Sequence, residues 1–252
     1  MNNERISAIN ECIQSKGQVH LNDLQKLFPD VSAMTIRRDI DYLEEQGQVV
    51  RTRGGAKSIS HLTHPKEDVY QKRAFDNIDA KNIIAKKALD FNFSEGAVYF
   101  DSGTTVTNIV KNLNSKDIFA ITSAPNIAME LCRGGCDRSV LLGGNLNRDN
   151  LAVSGASAVA QIENINITTA FIGASGFSLN AGFTIGNIDE SELKKAAIAK
   201  ASCVVIVMDS SKLGKNLPFT FASLDDIDYL LTNKELSEEI IKAANDANVK
   251  IL

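Results

Sequence analysis

From residue 80 onward the chain alternates short apolar runs with stretches of helical periodicity. The apolar runs lie at residues 97–100, 118–122, 140–142, 170–173, 203–208 and 229–232. The helical spacing of apolar residues begins near Ala80 and recurs over residues 104–113, 127–132, 190–201 and 237–245. The apolar runs do not alternate with polar residues, which is typical of strands that are buried on both faces. This pattern predicts an α/β domain with a doubly wound, mostly parallel sheet.

Most of the predicted strands end in a loop of small polar residues and glycines. These loops are residues 101–105, 122–126, 143–145, 173–176 and 209–214. The carboxyl ends of parallel strands meet at one edge of a sheet, so the loops should line a crevice in which helix N-termini attract an anion. A phosphate fits such a site, because hydroxyl groups and the Lys212 ammonium group add donors and charge. The predicted contacts are Asp101, Ser102, Gly103, Thr104, Thr105, Ser123, Asn126, Ser175, Gly176 and Lys212.

Two carboxylates, Asp101 and Asp209, directly follow predicted strands. A carboxylate in this position can cap the backbone of the next loop. It can also bind the hydroxyl groups of a sugar. The sequence leaves both interpretations open.

The first 57 residues are organised differently, as three short helices and a β-prone hairpin. Helical spacing of apolar residues predicts helices over residues 4–15, with a stop at Gly17, and over residues 21–28. A third helix should run from a Ser32 cap to a stop at Gly47. Residues 49–57 carry alternate arginines and a Gly-Gly turn, which predicts a two-stranded wing. This is the shape of a winged helix-turn-helix domain, which places its third helix in the major groove of double-stranded DNA.

The distribution of charge locates the predicted DNA contacts. The net charge of −4 argues against a nucleic-acid partner, but residues 1–57 hold eight basic and eight acidic side chains, so all of it lies on residues 58–252. On a helical wheel of the third helix, the inward side consists of Ile36, Ile40 and Leu43. Arg38, Tyr42 and Glu45 then face outward, and the outward side of the first half of the helix is uncharged or basic. The predicted contacts are Ser32, Thr35, Arg37, Arg38, Tyr42, Arg51 and Arg53. The alternative is that the four arginines only form a solvated surface and bind nothing. Their joint occurrence on the third helix and the wing favours DNA binding instead.

Two groups of motifs resemble those of the DeoR family of bacterial transcriptional regulators. In the first domain they are Thr35-Ile36-Arg37-Arg38-Asp39-Ile40, Leu43-Glu44 with Gly47, and Arg51-x-Arg53-Gly54-Gly55-Ala56. In the second they are residues 101–105, 142–144 and 182–184, Glu192-x-Lys194, and residues 209–214. The motifs cover most of the chain in the family order.

The resemblance implies an effector domain similar in fold to ribose 5-phosphate isomerase, glucosamine 6-phosphate deaminase and coenzyme A transferases, with a phosphorylated sugar in its crevice. It adds Arg148 as a second cation for the ligand, and it adds Glu192 and Lys194 to the effector site, Glu192 as a ligand or an interdomain contact. Arg53 stands at a wing position where the family often has histidine. This difference affects the contacts of the wing and not the class of ligand. Ser175 replaces a frequent Asn or Asp, which bears on the recognition of sugar hydroxyls.

The combined prediction is a repressor of a sugar-utilisation operon, cytoplasmic and nucleoid-associated. It assigns the winged helix-turn-helix to residues 1–57, a connection to residues 58–79 and the effector-binding domain to residues 80–252. The expected partners are operator DNA, a phosphorylated sugar, and further copies of the chain in a homodimer or homotetramer. We expect no secretory signal or membrane span, because the chain lacks a long apolar run. We also expect no cofactor or metal, because the four cysteines and three histidines lack the spacing of metal ligands.

A sugar-phosphate isomerase or deaminase with an accessory DNA-binding domain is the alternative. Such chemistry needs a positioned base, and the isomerase relatives carry acidic residues after the strand that matches residues 170–173. This chain has no acidic residue in that loop. Glu192 and Lys194 could act as acid and base, but two residues apart on a helix they point in different directions. The sequence therefore favours a regulator.

Overall fold

The computed structural model describes residues 3–16, 18–58, 69–91, 93, 96–114 and 117–252. The chain divides into two compact units, residues 1–66 and 67–252. The predicted stop at Gly17 and residues 59–68 of the predicted connection lie outside the described residues. The remainder of that connection contains a helix over Tyr70–Phe75 and the start of another at Ile78. The domain boundaries inferred from the sequence therefore stay a prediction.

The N-terminal unit combines three helices with a three-stranded antiparallel sheet. Its elements are α1 (Asn3–Lys16), β1 (Gln18–His20), α2 (Leu21–Leu27), α3 (Ala33–Glu45), β2 (Val49–Thr52) and β3 (Gly55–Ser58). The strand order is β1-β3-β2, so the wing hairpin pairs with a short strand between α1 and α2. The three helices and the wing are confirmed. Strand β1 is an addition to the prediction, because three residues carry too little periodicity to be recognised.

The buried residues of α3 fix which side of the helix is exposed. Its inward side consists of the residues that the helical wheel predicts, Ile36, Ile40 and Leu43. They pack into one apolar core with residues of α1, α2 and the sheet. The hydroxyl of Ser32 caps the helix by accepting from the backbone N–H of Thr35 at 3.2 Å. The predicted start and orientation of α3 are both confirmed.

Two polar side chains of α3 contact the interior of the unit, and one of them, Tyr42, differs from the helical-wheel expectation. Asp39 is only 1% exposed, and its carboxylate accepts from Nε of Arg5 at 2.6 Å. This charge-assisted contact fixes α3 against α1. Tyr42, predicted to face outward, is half-buried against the core of the unit. Its aromatic ring therefore stabilises the unit, only part of the side chain is exposed, and its contact with DNA stays a prediction.

The C-terminal unit is built on a seven-stranded sheet in which every neighbouring pair of strands is parallel. Its helices are α4 (Tyr70–Phe75), α5 (Ile78–Ala88), α6 (Thr104–Asn112), α7 (Pro125–Arg133), α8 (Ala156–Ile162), α9 (Ile188–Lys200) and α10 (Glu238–Asp246). Its strands are β4 (Ala97–Phe100), β5 (Phe119–Thr122), β6 (Arg138–Leu141), β7 (Asn145–Asn147), β8 (Ala152–Ser154), β9 (Ile167–Gly173), β10 (Gly176–Ser178), β11 (Gly182–Ile185), β12 (Ala201–Val207), β13 (Phe219–Ala222), β14 (Tyr229–Leu231) and β15 (Lys250–Ile251). The order of the large sheet is β15-β14-β12-β9-β4-β5-β6.

Apolar cores lie on both faces of the large sheet. Successive residues of β9 alternate between them, with Ala170 and Ile172 in one core and Phe171 in the other. Helices α8, α9 and α10 cover the first face, and α5, α6 and α7 cover the second. This arrangement confirms the doubly wound α/β fold.

The structure adds elements that the sequence pattern does not reveal. They are the hairpin β7–β8, helix α8, strand β15 and a small antiparallel sheet of β10, β11 and β13. Each of these strands has two to four residues. So short a strand does not complete a pattern that distinguishes it from a loop.

The helices of the described residues are short, and α1 has 14 residues. A bilayer span requires about 20 apolar residues. Among the described residues no helix is long and apolar enough to cross a membrane.

Candidate functional site

The first candidate site is the exposed side of α3. Arg37 and Arg38 are both exposed, and neither takes part in the ion pairs found among the described residues. The hydroxyls of Ser32 and Thr35 lie 2.9 Å apart at the start of the helix, where they hydrogen-bond to each other. The first turn of α3 contains no acidic residue. The helix thus presents two guanidinium groups and the positive end of its dipole, a surface that attracts phosphates.

The wing contributes two arginines in different settings. Arg53 is exposed in the turn between β2 and β3. Arg51 donates to Asp41 Oδ1 at 2.5 Å through its side chain and to a carboxylate oxygen of Glu44 at 2.7 Å through its backbone. The Arg51 and Asp41 side chains are 48% and 43% exposed, and so exposed a pair contributes about 0–1 kcal/mol. Arg51 can therefore exchange Asp41 for another anionic partner at little cost, and its contact with DNA stays a prediction.

A glycine lets the wing pack against the rest of its unit. A Cβ atom on Gly55 would lie 1.9 Å from the backbone oxygen of Val19 in β1. Only glycine permits so close an approach of the two strands. The Gly-Gly turn of the sequence motif therefore has a structural reason in the pairing of β3 with β1.

The second candidate site is the edge of the large sheet where its strands end. The five predicted loops follow β4, β5, β6, β9 and β12 at this edge. Residues 101–105 lead into α6, whose N-terminus lies at Gly103, with φ of +116° and no side-chain cap. Helix α7 also starts without a side-chain cap, at Ala124. Two neighbouring helix starts thus offer backbone N–H groups to the crevice.

The hydroxyl and amide groups of these two loops are available to different degrees. The loop after β4 contributes three hydroxyl groups. Ser102 is buried, and Thr104 and Thr105 are half-buried. Ser123 is buried and accepts from the Tyr99 hydroxyl at 3.1 Å, and burial raises the pKa of that phenol well above its ordinary value. Asn126 is half-buried and donates to the hydroxyl of Tyr70 at 2.8 Å. The hydroxyl groups of the loop after β4 are thus more accessible than that of Ser123 in the loop after β5, because Ser123 already has a hydrogen-bond partner inside the fold.

A buried ion pair joins the end of β4 to α9. The Lys194 ammonium group bonds to Oδ2 of Asp101, and both side chains are 3% exposed. The ammonium also donates to the backbone oxygen of Gly173 at 3.0 Å, while the Gly173 N–H donates to the Asp101 carboxylate at 2.9 Å. The ring centre of Phe221 lies 5.3 Å from Lys194 Nζ. Among the described residues, the contacts of the Asp101 carboxylate are thus with the loop after β9 and with α9, and not with the backbone of the loop that follows it in the chain, and they place both predicted residues at the crevice edge.

The acidic residues of α9 point in two directions. Glu192 is exposed and accepts from Lys195 Nζ at 2.9 Å, so the structure does not bring it to Asp101 and Lys194. Glu190 is the buried acid of the helix and accepts from Asn150 Nδ2 at 2.8 Å. The i, i+2 argument correctly separates Glu192 from Lys194. An i, i+4 spacing could have identified Glu190, four residues before Lys194, as the acid on its side of the helix.

The turn of the hairpin β7–β8 carries the predicted second cation. The Arg148 side chain is 92% exposed, and its Nε lies 3.5 Å from Oδ1 of Asp149. Asn150 in the same turn is buried instead. The backbone N–H of Val153 in β8 donates to the Ser123 oxygen at 2.7 Å, which holds the hairpin at the crevice edge. Arg148 can therefore reach a crevice ligand only from the solvent side.

Helix α4 brings side chains to the crevice that the sequence prediction assigns to the connection. The hydroxyl of Tyr70 donates to the Thr107 hydroxyl at 2.9 Å, and burial raises the pKa of this phenol. Nη2 of Arg73 donates to Oδ1 of Asn150 at 3.0 Å. Six helical residues show too little periodicity to be recognised. The i, i+3 spacing of Tyr70 and Arg73 is the signal that could have revealed them.

The loop after β12 is held by internal hydrogen bonds. The carboxylate of Asp209 accepts from the Ser211 N–H at 3.0 Å and from Asn77 Nδ2 at 3.2 Å, which supports its capping interpretation. Lys212 ends a single 3-10 turn, Ser210–Lys212, within this loop and is half-buried. Beside it, burial lowers the pKa of the Lys81 ammonium group. A cleft of about 640 Å³ opens next to the loop and is lined by Phe75, Asn77, Ile78, Asp79, Ala80, Asp209, Ser210, Ser211, Asn233 and Lys234.

The loop after β9 is explained by packing. The backbone N–H of Ser175 donates to the Thr184 oxygen at 3.1 Å, which starts the small antiparallel sheet. A Cβ atom on Gly176 would lie 2.4 Å from the backbone oxygen of Lys215. Both residues thus have a structural reason for their positions, and their predicted effector contacts stay a prediction.

Two family models match this chain. The DeoR-like helix-turn-helix domain matches residues 5–61, and the DeoR C terminal sensor domain matches residues 76–234. A relative from Haloferax volcanii, the HTH-type transcriptional regulator GlpR, is 34% identical over 88% of this chain and 86% of its own. From Bacillus subtilis, the HTH-type transcriptional regulator IolR is 31% identical over 98% and 97%, and the HTH-type transcriptional repressor GlcR is 32% identical over 92% and 88%.

Solved structures are similar to part of the chain. A ribose 5-phosphate isomerase A from Methanocaldococcus jannaschii aligns over 55% of each chain with 18% identity and a TM-score of 0.41. The eIF2B delta subunit of Chaetomium thermophilum aligns over 64% of this chain and 58% of its own, with 11% identity and a TM-score of 0.47.

Proposed function

We propose that this chain represses an operon for the use of a sugar. It belongs to the DeoR family of DNA-binding transcriptional regulators. A phosphorylated sugar bound at the crevice of the C-terminal unit controls its binding to DNA. The observation that carries this proposal is the pairing, in one chain, of a capped helix with exposed arginines and a crevice with uncapped helix starts.

The DNA side of the proposal depends on α3 and the wing. The N-terminal half of α3 enters the major groove, where Arg37 and Arg38 bind bases or phosphates. Arg53 and Arg51 of the wing bind the backbone or the minor groove beside it. Ser32 and Thr35 lie at the start of the helix, where a hydroxyl can also reach a phosphate. Two copies of the chain in a symmetric homo-oligomer would bind two half-sites of an operator.

The ligand side depends on the loops after β4, β5 and β12. The N–H groups at the start of α6 bind phosphate oxygens, and Lys212 adds a positive charge. Arg148 closes over the ligand from solvent. To act as a switch, the ligand must bind the DNA-competent and DNA-incompetent states with different affinity. The direction of this coupling that fits a repressor of a sugar-utilisation operon is release from DNA when the ligand binds.

The enzyme alternative finds no support. The chain is a transcriptional regulator by family, and its likeness to an isomerase is distant. Glu192 and Lys194, the candidate acid and base, lie on different sides of α9. A fold shared with enzymes does not confer their chemistry.

A thermal-shift experiment tests the ligand side. Among sugar phosphates of three to six carbons, at least one should raise the melting temperature of the wild-type chain, because it binds only the native state. Lys212→Ala should reduce its affinity by about tenfold, since the variant loses one charge-assisted contact to the phosphate. The matched control is Lys215→Ala, which removes an exposed lysine of the neighbouring segment and should leave the shift unchanged. An undiminished shift in Lys212→Ala would exclude Lys212 from the site.

A further inference from the structure

Helix α4 is hydrogen-bonded to three parts of the crevice edge. The Tyr70 backbone N–H donates to the oxygen of Asp149 in the β7–β8 turn at 2.6 Å. The Tyr70 hydroxyl bonds to Thr107 in the second turn of α6 and accepts from Asn126 in the first turn of α7. Lys81 of α5 donates to two backbone oxygens of the α4 segment, those of Arg73 and Asp76. The helix is thus held at the starts of α6 and α7 and at the hairpin turn.

Two buried polar atoms of this cluster have no hydrogen-bond partner among the described residues. They are Nε of Arg73 and Oδ1 of Asn126. Both side chains use their other polar atoms: Arg73 Nη2 donates to Asn150, and Asn126 Nδ2 donates to Tyr70 and Thr107. The amide of Asn150 is itself held by Glu190, which keeps its oxygen directed to Arg73. Both residues are therefore oriented by their neighbours while one atom of each is left for another partner.

The chemistry of the two atoms defines what can satisfy them. Nε of Arg73 is a donor that carries positive charge, so it requires an acceptor and favours an anionic oxygen. Oδ1 of Asn126 is an acceptor, so it requires a donor such as a hydroxyl group. Buried polar groups in folded proteins are almost always paired. A molecule with both a phosphate and hydroxyl groups offers each of the two atoms a partner of the kind that it requires.

We propose that Arg73 and Asn126 form a subsite of the crevice for a phosphorylated polyol, in which Arg73 binds the anionic oxygens and Asn126 accepts from a hydroxyl. This subsite rests on the proposed effector function and adds α4 to it. Helix α4 is the first described element after residue 58, so it is the helix of the C-terminal unit that is nearest in sequence to the DNA-binding unit. Occupancy of the subsite would act on α4 through the contacts of Arg73 and through the Asn126–Tyr70 hydrogen bond.

The test compares Arg73→Gln with the wild type by titration calorimetry, with inorganic phosphate and the three- to six-carbon sugar phosphates as probes. Glutamine keeps a donor for Asn150 and removes the charge and Nε. The variant should bind both kinds of probe about tenfold or more weakly, since it loses a hydrogen bond to a charged group. Asn126→Ala should weaken binding of the sugar phosphate and leave binding of inorganic phosphate within about twofold, because only the sugar has a hydroxyl to donate.

The control is Gln71→Ala, an exposed position on the same helix, which should bind as the wild type does. If Arg73→Gln has a much lower melting temperature than the wild type, the calorimetric titration is made with Arg73→Lys, which keeps the charge and lacks the planar Nε donor. A lysine or glutamine variant that binds the probes within about twofold of the wild type would overturn the subsite. A wild-type chain that binds none of the probes would instead overturn the proposed effector function, and this subsite with it.

Discussion

Replacing Arg37 and Arg38 together with alanine is expected to weaken binding to operator DNA by about 100-fold or more, because each arginine supplies about 1–3 kcal/mol to a base or phosphate contact. Both side chains are exposed on α3, and alanine is the best helix former, so the unit should stay folded. The measurement is the anisotropy of a labelled DNA fragment from the intergenic region beside the gene, at several salt concentrations. The slope of affinity against salt should also fall, by about one for each lost phosphate contact.

The control for this prediction removes the same amount of charge elsewhere. Lys86→Ala with Lys111→Ala takes two exposed lysines from the C-terminal unit and should leave DNA binding nearly unchanged. If the arginine variant binds the fragment as the wild type does, α3 is not the recognition helix. If both double variants weaken binding equally, the effect is one of net charge alone.

Lys194→Met is expected to destabilise the C-terminal unit by about 3–5 kcal/mol, because it leaves the buried carboxylate of Asp101 without its cationic partner. The contact of the ammonium with Gly173 is lost at the same time. For a unit of this size the melting temperature should fall by about 10 °C. Thermal unfolding followed by circular dichroism measures the change.

Lys195→Met is the matched control, on the next residue of the same helix. Its side chain is 47% exposed, and among the described residues its ammonium pairs with Glu192, so the loss should stay below about 1 kcal/mol. The double variant Asp101→Asn with Lys194→Met should be less destabilised than the two single effects together, because it no longer buries an unpaired charge. Equal melting temperatures for Lys194→Met and Lys195→Met would show that the Asp101 contact is not a buried ion pair in solution.

The parts of the fold that the sequence predicts are those with repeated local patterns. Ile36, Ile40 and Leu43 identify the inward side of α3, and unalternated runs such as residues 203–208 identify strands of the parallel sheet. Strand β1 and the strands of the small antiparallel sheet are too short to show a period. They form because a neighbouring strand offers hydrogen bonds, which is tertiary information.

The sequence predicts the candidate site only in those parts that follow directly from the positions of the strand ends. Loops 101–105 and 209–214 lie at the crevice edge because a parallel sheet places all its carboxyl ends there. The sequence does not show that the Asp101 carboxylate is occupied by Lys194, since the two residues lie 93 positions apart. Nor does it show that Arg73 leaves the predicted connection to join the crevice. Both contacts depend on how helices α4 and α9 pack against the sheet.

The most direct test of ligand-controlled repression is the binding of the wild-type chain to the same DNA fragment while sugars are added. The measurement compares each phosphorylated sugar of three to six carbons with its unphosphorylated form. At least one phosphorylated sugar should weaken DNA binding by about tenfold, within the usual range of allosteric coupling, and its unphosphorylated form should not. Sequence-specific binding that no phosphorylated sugar alters, or the absence of sequence-specific binding, would contradict the proposed function.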